Sequence, residues 1–147
     1  MIYTTQIIMA LLGSLGFSIL FNIRGKKLWY AAIGGMLSWV IYLFLHLWLN
    51  NEMSRFFISS LIVTIYSEAI ARIEKTPTTT FLTSAVVPLI PGRSLYYTMS
   101  YAINGMLDKF VSSGIQTVGL SASIAAGIMA GSSVFRVFMV MQRKLKR

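Results

Sequence analysis

Long runs without a charged residue govern what this chain can fold into. Residues 1–23, 28–51, 76–92, 94–107 and 110–135 contain no Asp, Glu, Lys or Arg, and a shorter run of this kind covers 56–67. Several reach the roughly 20 residues with which an α-helix crosses a hydrocarbon core of about 30 Å. In such a core each backbone N–H and C=O must be satisfied within the protein, which makes helices the spanning form. With 56% hydrophobic and only 12% charged residues among 147, the chain reads as one integral membrane domain over 1–147 and an all-α membrane protein.

About five transmembrane helices are expected, over 2–21, 28–49, 53–75, 77–107 and 115–135. The first run is too long for a signal-peptide core and has no Lys or Arg before it, so it reads as a retained helix. Arg24, Lys26 and Lys27 form a short basic loop around Gly25. Trp29 and Tyr30 mark one interface of the second span and Trp48 the other. Asn50, Asn51 and Glu52 interrupt the apolar pattern, and Thr76-Pro77 predicts a helix start with Thr as N-cap and Pro at the first position.

The fourth segment cannot be one straight upright span. A continuous helix over 77–107 would be roughly 46 Å long at 1.5 Å per residue, well beyond the core thickness. Pro88 and Pro91 remove two N–H donors near its middle and bias Val87 and Ile90 away from helical geometry. Two half-helices, about 77–87 and 94–107, are expected around an irregular Pro88 to Arg93 link.

Counting basic residues decides between a crossing and a returning segment. If it crosses, Arg24, Lys26, Lys27, Arg72, Lys75, Arg136, Arg143, Lys144, Lys146 and Arg147 share one side and Arg55 and Lys109 the other, ten against two. If it returns, the division is six against six. The positive-inside rule favours the crossing, with the N-terminus outside and the C-terminus cytoplasmic.

The same scarcity of reactive side chains argues against an enzyme. The chain has no Cys and a single His, His46, which excludes thiolate chemistry, Cys-ligated metal centres and a two-His metal face. The acidic residues Glu52, Glu68, Glu74 and Asp108 are scattered, so no acid–base pair is evident. Gly25-Lys26 lacks the surrounding phosphate-loop pattern. The net charge of +9 sits at the ends of apolar runs and reads as membrane orientation, with no nucleic-acid partner. No metal or cofactor is expected.

Arg93 is the candidate that the pattern leaves over. A mid-membrane arginine costs several kcal/mol unless it is paired or faces water. At the start of a half-helix it joins unpaired backbone N–H groups and the positive dipole end, an arrangement suited to an anion. A guanidinium grips a carboxylate bidentately, and discontinuous helices at mid-depth bind carboxylated substrates in many secondary transporters. The candidate substrate-binding set is Pro88, Pro91, Gly92, Arg93, Ser94, Tyr97 and Asn104. The competing reading pairs Arg93 with Glu68 or Asp108, or lets it snorkel to an interface. Arg93, Tyr97, Ser100, Tyr101, Asn104 and Asp108 recur on one face of the second half-helix, opposite Leu95, Met99, Ala102 and Met106. This polar stripe lines a pathway or supplies interhelical hydrogen bonds.

Glu68 stands four residues before Arg72, the favourable order for an ion pair. A structural Glu68–Arg72 ion pair is the plainer reading of that spacing, and the alternative makes Glu68 a coupling carboxylate, with Glu68, Arg72 and Asp108 as the candidate coupling or gating residues. His46 reads as an interface residue in preference to a proton relay. Thr78, Thr79 and Thr80 satisfy local backbone groups or line an entrance. In the last span Gly119, Ser123, Gly127 and Gly131 repeat every four residues, a face for close approach of another helix. That helix is internal or belongs to another copy in a homo-oligomer. Gly34, Gly35 and Ser38 mark a lesser contact in the second span.

Ser67-Glu68, Ala71-Arg72, Pro77, Phe81 and Pro88-Leu89-Ile90-Pro91-Gly92 together resemble the signature of the threonine/serine exporter (ThrE) family, specifically its small membrane component of the YjjB type. Span number and loop length are similar over nearly the whole chain, and the specific motif is confined to about 67–105. Longer members join a hydrophilic N-terminal domain and a further five-helix bundle to a bundle like this one. The resemblance therefore implies a separately encoded larger ThrE-like subunit, the bacterial cytoplasmic (inner) membrane, and export of small carboxylate metabolites such as threonine, serine or succinate. An amino-acid substrate needs an ammonium acceptor, for which Glu68, Asp108 or freed carbonyls are available. A dicarboxylate needs a second cation, and none besides Arg93 is expected at mid-depth. Other readings are a non-transporting assembly subunit and a small pore-forming protein, neither of which calls for the Pro-Pro-Gly-Arg break.

Overall fold

The computed structural model describes residues 2–145, without the side chains of Ile2, Arg143 and Leu145; the basic residues Lys146 and Arg147 of the expected tail lie outside the described residues. The chain is helical throughout: α1 Ile2–Leu20, α2 Lys26–His46, α3 Glu52–Ile73, α4 Thr78–Val86, a 3-10 turn Val87–Leu89, α5 Gly92–Ile103 and α6 Leu107–Leu145. Four helices, Tyr3–Leu20, Lys26–His46, Glu52–Ile73 and Leu107–Gln142, are long and apolar enough to cross a membrane, and Thr78–Leu89 is a shorter apolar piece. The expected break of the fourth segment is present, between α4 and α5.

Four expected boundaries are corrected. The last helix starts at Leu107 instead of 115 and continues to Leu145 instead of stopping at 135. Asp108 and Lys109 end a charge-free run without ending a helix, and Asp108 in the first turn suits the positive dipole end. The second helix stops at His46, which leaves Trp48 in the following turn. The fourth segment begins at Thr78 with Pro77 in the cap position, and the Thr76 hydroxyl, expected to cap it, donates back to the Glu74 carbonyl at 2.9 Å.

Three helix ends close in the same way. Asn22, Lys75 and Gly105 take positive φ values of 58°, 48° and 69°. Behind each, a six-residue closure forms: Ile23 N to Ser18 O at 3.0 Å, Thr76 N to Ala71 O at 2.9 Å and Met106 N to Tyr101 O at 3.0 Å. These satisfy carbonyls that a helix end otherwise orphans. At the start of α3, the Asn51 side chain accepts from Met53 N at 3.0 Å, an N-cap that explains the abrupt α2–α3 turn.

Small residues set the packing, as transmembrane helices require in the absence of a hydrophobic drive between them. A Cβ on Gly34 would stand 3.0 Å from Ala85 and from Tyr66, and one on Gly35 would collide with Ser14. The contact signalled by Gly34, Gly35 and Ser38 thus joins α2 to α1, α3 and α4. Ser14, Ser18, Ser38, Ser59, Ser60, Thr64, Ser67 and Ser84 are buried among these helices. Several return their hydroxyl to the carbonyl one turn back, as Ser18 does to Ser14 O at 2.7 Å and Thr64 to Ser60 O at 2.6 Å. A hydroxyl satisfied on its own helix is cheap to bury.

The glycine row of α6 is filled within the chain. Gly119 faces Met53, Gly127 faces Phe57 and Ser60, and Gly131 faces Leu61 and Thr64. Its numbering rises in step with that of α3, so the two helices run parallel, and the guanidinium of Arg72 lies 5.1 Å from the Phe135 ring at the far end. Ser123 turns its hydroxyl to Gly119 O on its own helix. The face expected to serve either an internal helix or a second copy is therefore occupied by α3, and an oligomer would need another surface.

Two apolar clusters stack along the bundle. Ile23, Ala31, Ala71 and Phe81 lie toward the α1–α2 loop. Phe56, Leu89, Leu120 and Ile124 lie deeper, where the fourth segment breaks.

Candidate functional site

Above the second cluster the bundle opens into a chamber of about 1130 Å³. The N-terminal turns of α1 (Tyr3, Gln6), the end of α2 (Trp39, Tyr42, His46), the start of α3 (Glu52, Arg55), the break and α5 (Pro88, Ile90 to Ser94, Tyr97, Tyr101) and the start of α6 (Lys109, Gln116) all contribute, with Phe56 and Leu120 at the base.

The break supplies one wall. Pro88 sits in the first turn of the 3-10 segment. Pro91, at φ −76° and ψ 57°, centres an inverse γ-turn, closed by Gly92 N to Ile90 O at 2.7 Å. α5 then starts without a side-chain cap, so the amides of its first turn are left for something other than the protein's own side chains. Arg93 stands there, exposed to the chamber, and among the described residues it makes no ion pair. The centre of the Tyr97 ring lies 5.8 Å from the guanidinium carbon. Neither Glu68 nor Asp108 pairs with it.

Of the predicted binding residues, the chamber brings together Pro88, Pro91, Gly92, Arg93, Ser94 and Tyr97. Asn104 is not among them: its side-chain nitrogen donates to Ser100 O at 2.8 Å, closing the end of α5 on itself. The stripe splits accordingly, with Tyr97 and Tyr101 facing inward and Ser100 and Asn104 bonded locally. Asp108 is exposed in the first turn of α6 and lies off the chamber.

The coupling candidates lie elsewhere. Glu68, toward the other end of α3, accepts from the Thr78 hydroxyl at 3.1 Å and so ties α3 to the start of α4. Arg72 is turned to Phe135, and among the described residues no Glu68–Arg72 ion pair forms.

Three functional-looking residues were not singled out by pattern. Arg55 and Lys109 counted only as orienting charges, yet both line the chamber. Arg55 is 8% exposed, lies 5.3 Å from the Tyr42 ring centroid and is bonded through Nη1 to His46 Nδ1. Lys109 Nζ lies 5.8 Å from the Tyr101 ring. Glu52, the one chamber carboxylate, accepts from Tyr42 at 3.4 Å and from Gln116 at 3.3 Å. The one available signal was position: Glu52 and Arg55 fall in the first turn after the Asn51 cap, where the helix ends of α2, α3 and α6 converge.

Thr98 fixes α5 against α6. Its hydroxyl reaches Ser94 O at 2.8 Å, Ser113 at 2.9 Å and Thr117 at 3.1 Å. Chemically, the chamber presents three cations, uncapped amides, aromatic rings and one carboxylate. That composition is electrostatically suited to a small anion.

No curated protein and no solved structure gives a match. The family model described as Threonine/Serine exporter, ThrE matches residues 6–134, nearly the whole chain and all of the chamber lining except Tyr3. This protein, with a cationic chamber at a broken helix, belongs to the threonine/serine exporter family, a family of transporters and not of enzymes.

Proposed function

We propose that this protein is a subunit of a secondary transporter that exports small carboxylate metabolites, of the threonine/serine type or a dicarboxylate such as succinate, across the bacterial cytoplasmic membrane together with a larger ThrE-like subunit. The observation that carries this reading is Arg93, an unpaired guanidinium at the uncapped start of a half-helix inside a chamber. A carboxylate there receives a bidentate guanidinium and the first-turn amides of α5 together. Arg55, Arg93 and Lys109 against Glu52 leave a formal excess of two positive charges, three minus one, which favours an anionic guest and supplies the second cation that a dicarboxylate needs.

The broken segment serves as the fifth crossing in this reading, with the N-terminus outside and the C-terminus cytoplasmic, as the ten-to-two division of basic residues favours. The chamber then belongs to the outer half, and the Phe56, Leu89, Leu120 and Ile124 cluster closes the way inward. Leu89 belongs to the break itself, so export requires α4 and the 3-10 turn to shift. Glu68, through Thr78, is placed to govern that shift. The larger subunit covers α5, a helix with no buried residue that packs chiefly on α6.

Substrate efflux from proteoliposomes carrying this chain, the larger subunit, or both tests the reading. Only the pair is expected to export, and Arg93→Gln is expected to abolish export at an unchanged level in the membrane. Export that survives Arg93→Gln would sink the proposal.

A further inference from the structure

Two nitrogen donors beside the chamber have no acceptor among the described residues. Arg55 Nε and Trp39 Nε1 are enclosed and meet no hydrogen-bond partner, although both side chains belong to the chamber wall. Orphaned buried donors are rare in folded proteins, and each calls for a partner that the protein itself does not supply.

One ring positions both. Trp39 stacks on Tyr42 with centroids 5.0 Å apart, and the guanidinium of Arg55 lies over the same ring. A guanidinium carries five N–H donors in a planar fork. The corner at Nη1 is engaged by His46, and the edge that includes Nε is unused. The nearby carboxylate does not fill it, since Glu52 gives one oxygen to Tyr42 and the other to Gln116. A cation this enclosed is expensive without an anionic or strongly accepting partner.

We infer that Arg55 and Trp39 form a second oxygen-binding subsite, which receives the end of the substrate remote from Arg93. The chamber thereby selects small carboxylates that carry a second oxygen function over analogues that end in alkyl. This inference rests on the exporter reading and adds the specificity determinant. A carboxylate or a hydroxyl supplies the required acceptor. An analogue without it leaves the two donors unpaired, which is how polar sites reject close analogues strongly.

The test is calorimetric titration of the purified full chain in lipid nanodiscs with four probes: succinate against butyrate, and L-threonine against L-2-aminobutyrate. In at least one pair the oxygen-bearing member is expected to bind about tenfold more tightly, and the pair that discriminates identifies the far group as carboxylate or hydroxyl. Arg55→Gln is expected to collapse that ratio, because it weakens the oxygen-bearing probe far more than the alkyl-ended probe held at Arg93. Trp39→Phe keeps the ring and removes only the N–H, so it should lower the ratio by a few-fold without disturbing the fold. Equal binding within both pairs by the unmodified protein, or a ratio indifferent to both variants, overturns the second subsite alone. Absence of binding by all four probes overturns the carboxylate reading and this inference with it.

Discussion

Arg93 and Tyr97 stand one turn apart on α5, and the guanidinium carbon of Arg93 lies 5.8 Å from the centre of the Tyr97 ring. The relationship continues along the helix: Tyr97 stacks with Tyr101 at 6.2 Å, and Lys109 approaches Tyr101 at 5.8 Å. Rings of this kind hold a cation by their quadrupole without neutralising it, which keeps Arg93 available to an anion. Tyr97→Phe retains the ring and is expected to export normally. Tyr97→Leu removes about 0.5–1 kcal/mol of cation–π attraction and is expected to raise the half-saturating substrate concentration by about two- to fivefold. Concentration-dependent efflux checks this, and an equal defect in both variants would assign the role to the hydroxyl.

Thr98 holds the chamber wall in place. Its one hydroxyl meets Ser94 O, Ser113 and Thr117, and α5 has little else to anchor it. Thr98→Val keeps the shape and deletes the polar link, which costs about 0.6–2 kcal/mol in a membrane interior. Faster hydrogen exchange confined to α5, together with reduced export, is the expected result. Thr98→Ser should behave as the unmodified protein does.

Glycines in this chain divide into those that carry another helix and those that do not. A Cβ on Gly131 would lie 2.7 Å from the Leu61 carbonyl oxygen and 2.9 Å from Thr64 Cβ, both rigid neighbours. Gly131→Ala is expected to force α6 from α3 and lower stability by about 1–3 kcal/mol. A Cβ on Gly13 or Gly16 meets nothing within 4 Å, so Ala at either should be neutral or stabilise α1 by about 0.5–1 kcal/mol. Thermal unfolding in detergent distinguishes the two classes; equal shifts would mean that the α3–α6 contact is not the limiting one.

The contrast shows what the linear pattern can carry. Helix spacing exposed the Gly119–Gly127–Gly131 face, because close approach demands missing side chains at a fixed period. The prolines exposed the break, because they lack N–H groups wherever the chain goes. Arg55 stayed hidden for the opposite reason. An arginine one turn into a helix looks the same in sequence whether it snorkels outward or folds inward over Tyr42, and the choice depends on His46 and Trp39 in another helix. Likewise, Glu68 and Arg72 have ideal spacing for a pair, and tertiary partners at Thr78 and Phe135 override it. Periodic constraints were legible, whereas the meeting of side chains from separate helices was not.

The proposed crossing of the fourth segment can be tested by sidedness. α3 and α6 run parallel along their length, from Gly119 against Met53 to Arg72 against Phe135, so if both cross a membrane they cross it in the same sense. In the five-crossing reading the chain returns between them through α4, the 3-10 turn and α5. Because the chain has no Cys, single cysteines report sidedness without a background. Asn50→Cys and Asn104→Cys should react with a membrane-impermeant maleimide on intact spheroplasts. Lys26→Cys and Gln142→Cys should react only after permeabilisation. A segment that dips in and returns on the same side reverses the assignments of Asn104 and Gln142 while leaving those of Lys26 and Asn50 unchanged. Labelling of Gln142→Cys from outside would therefore rule out the fifth crossing and move the chamber's position relative to the membrane.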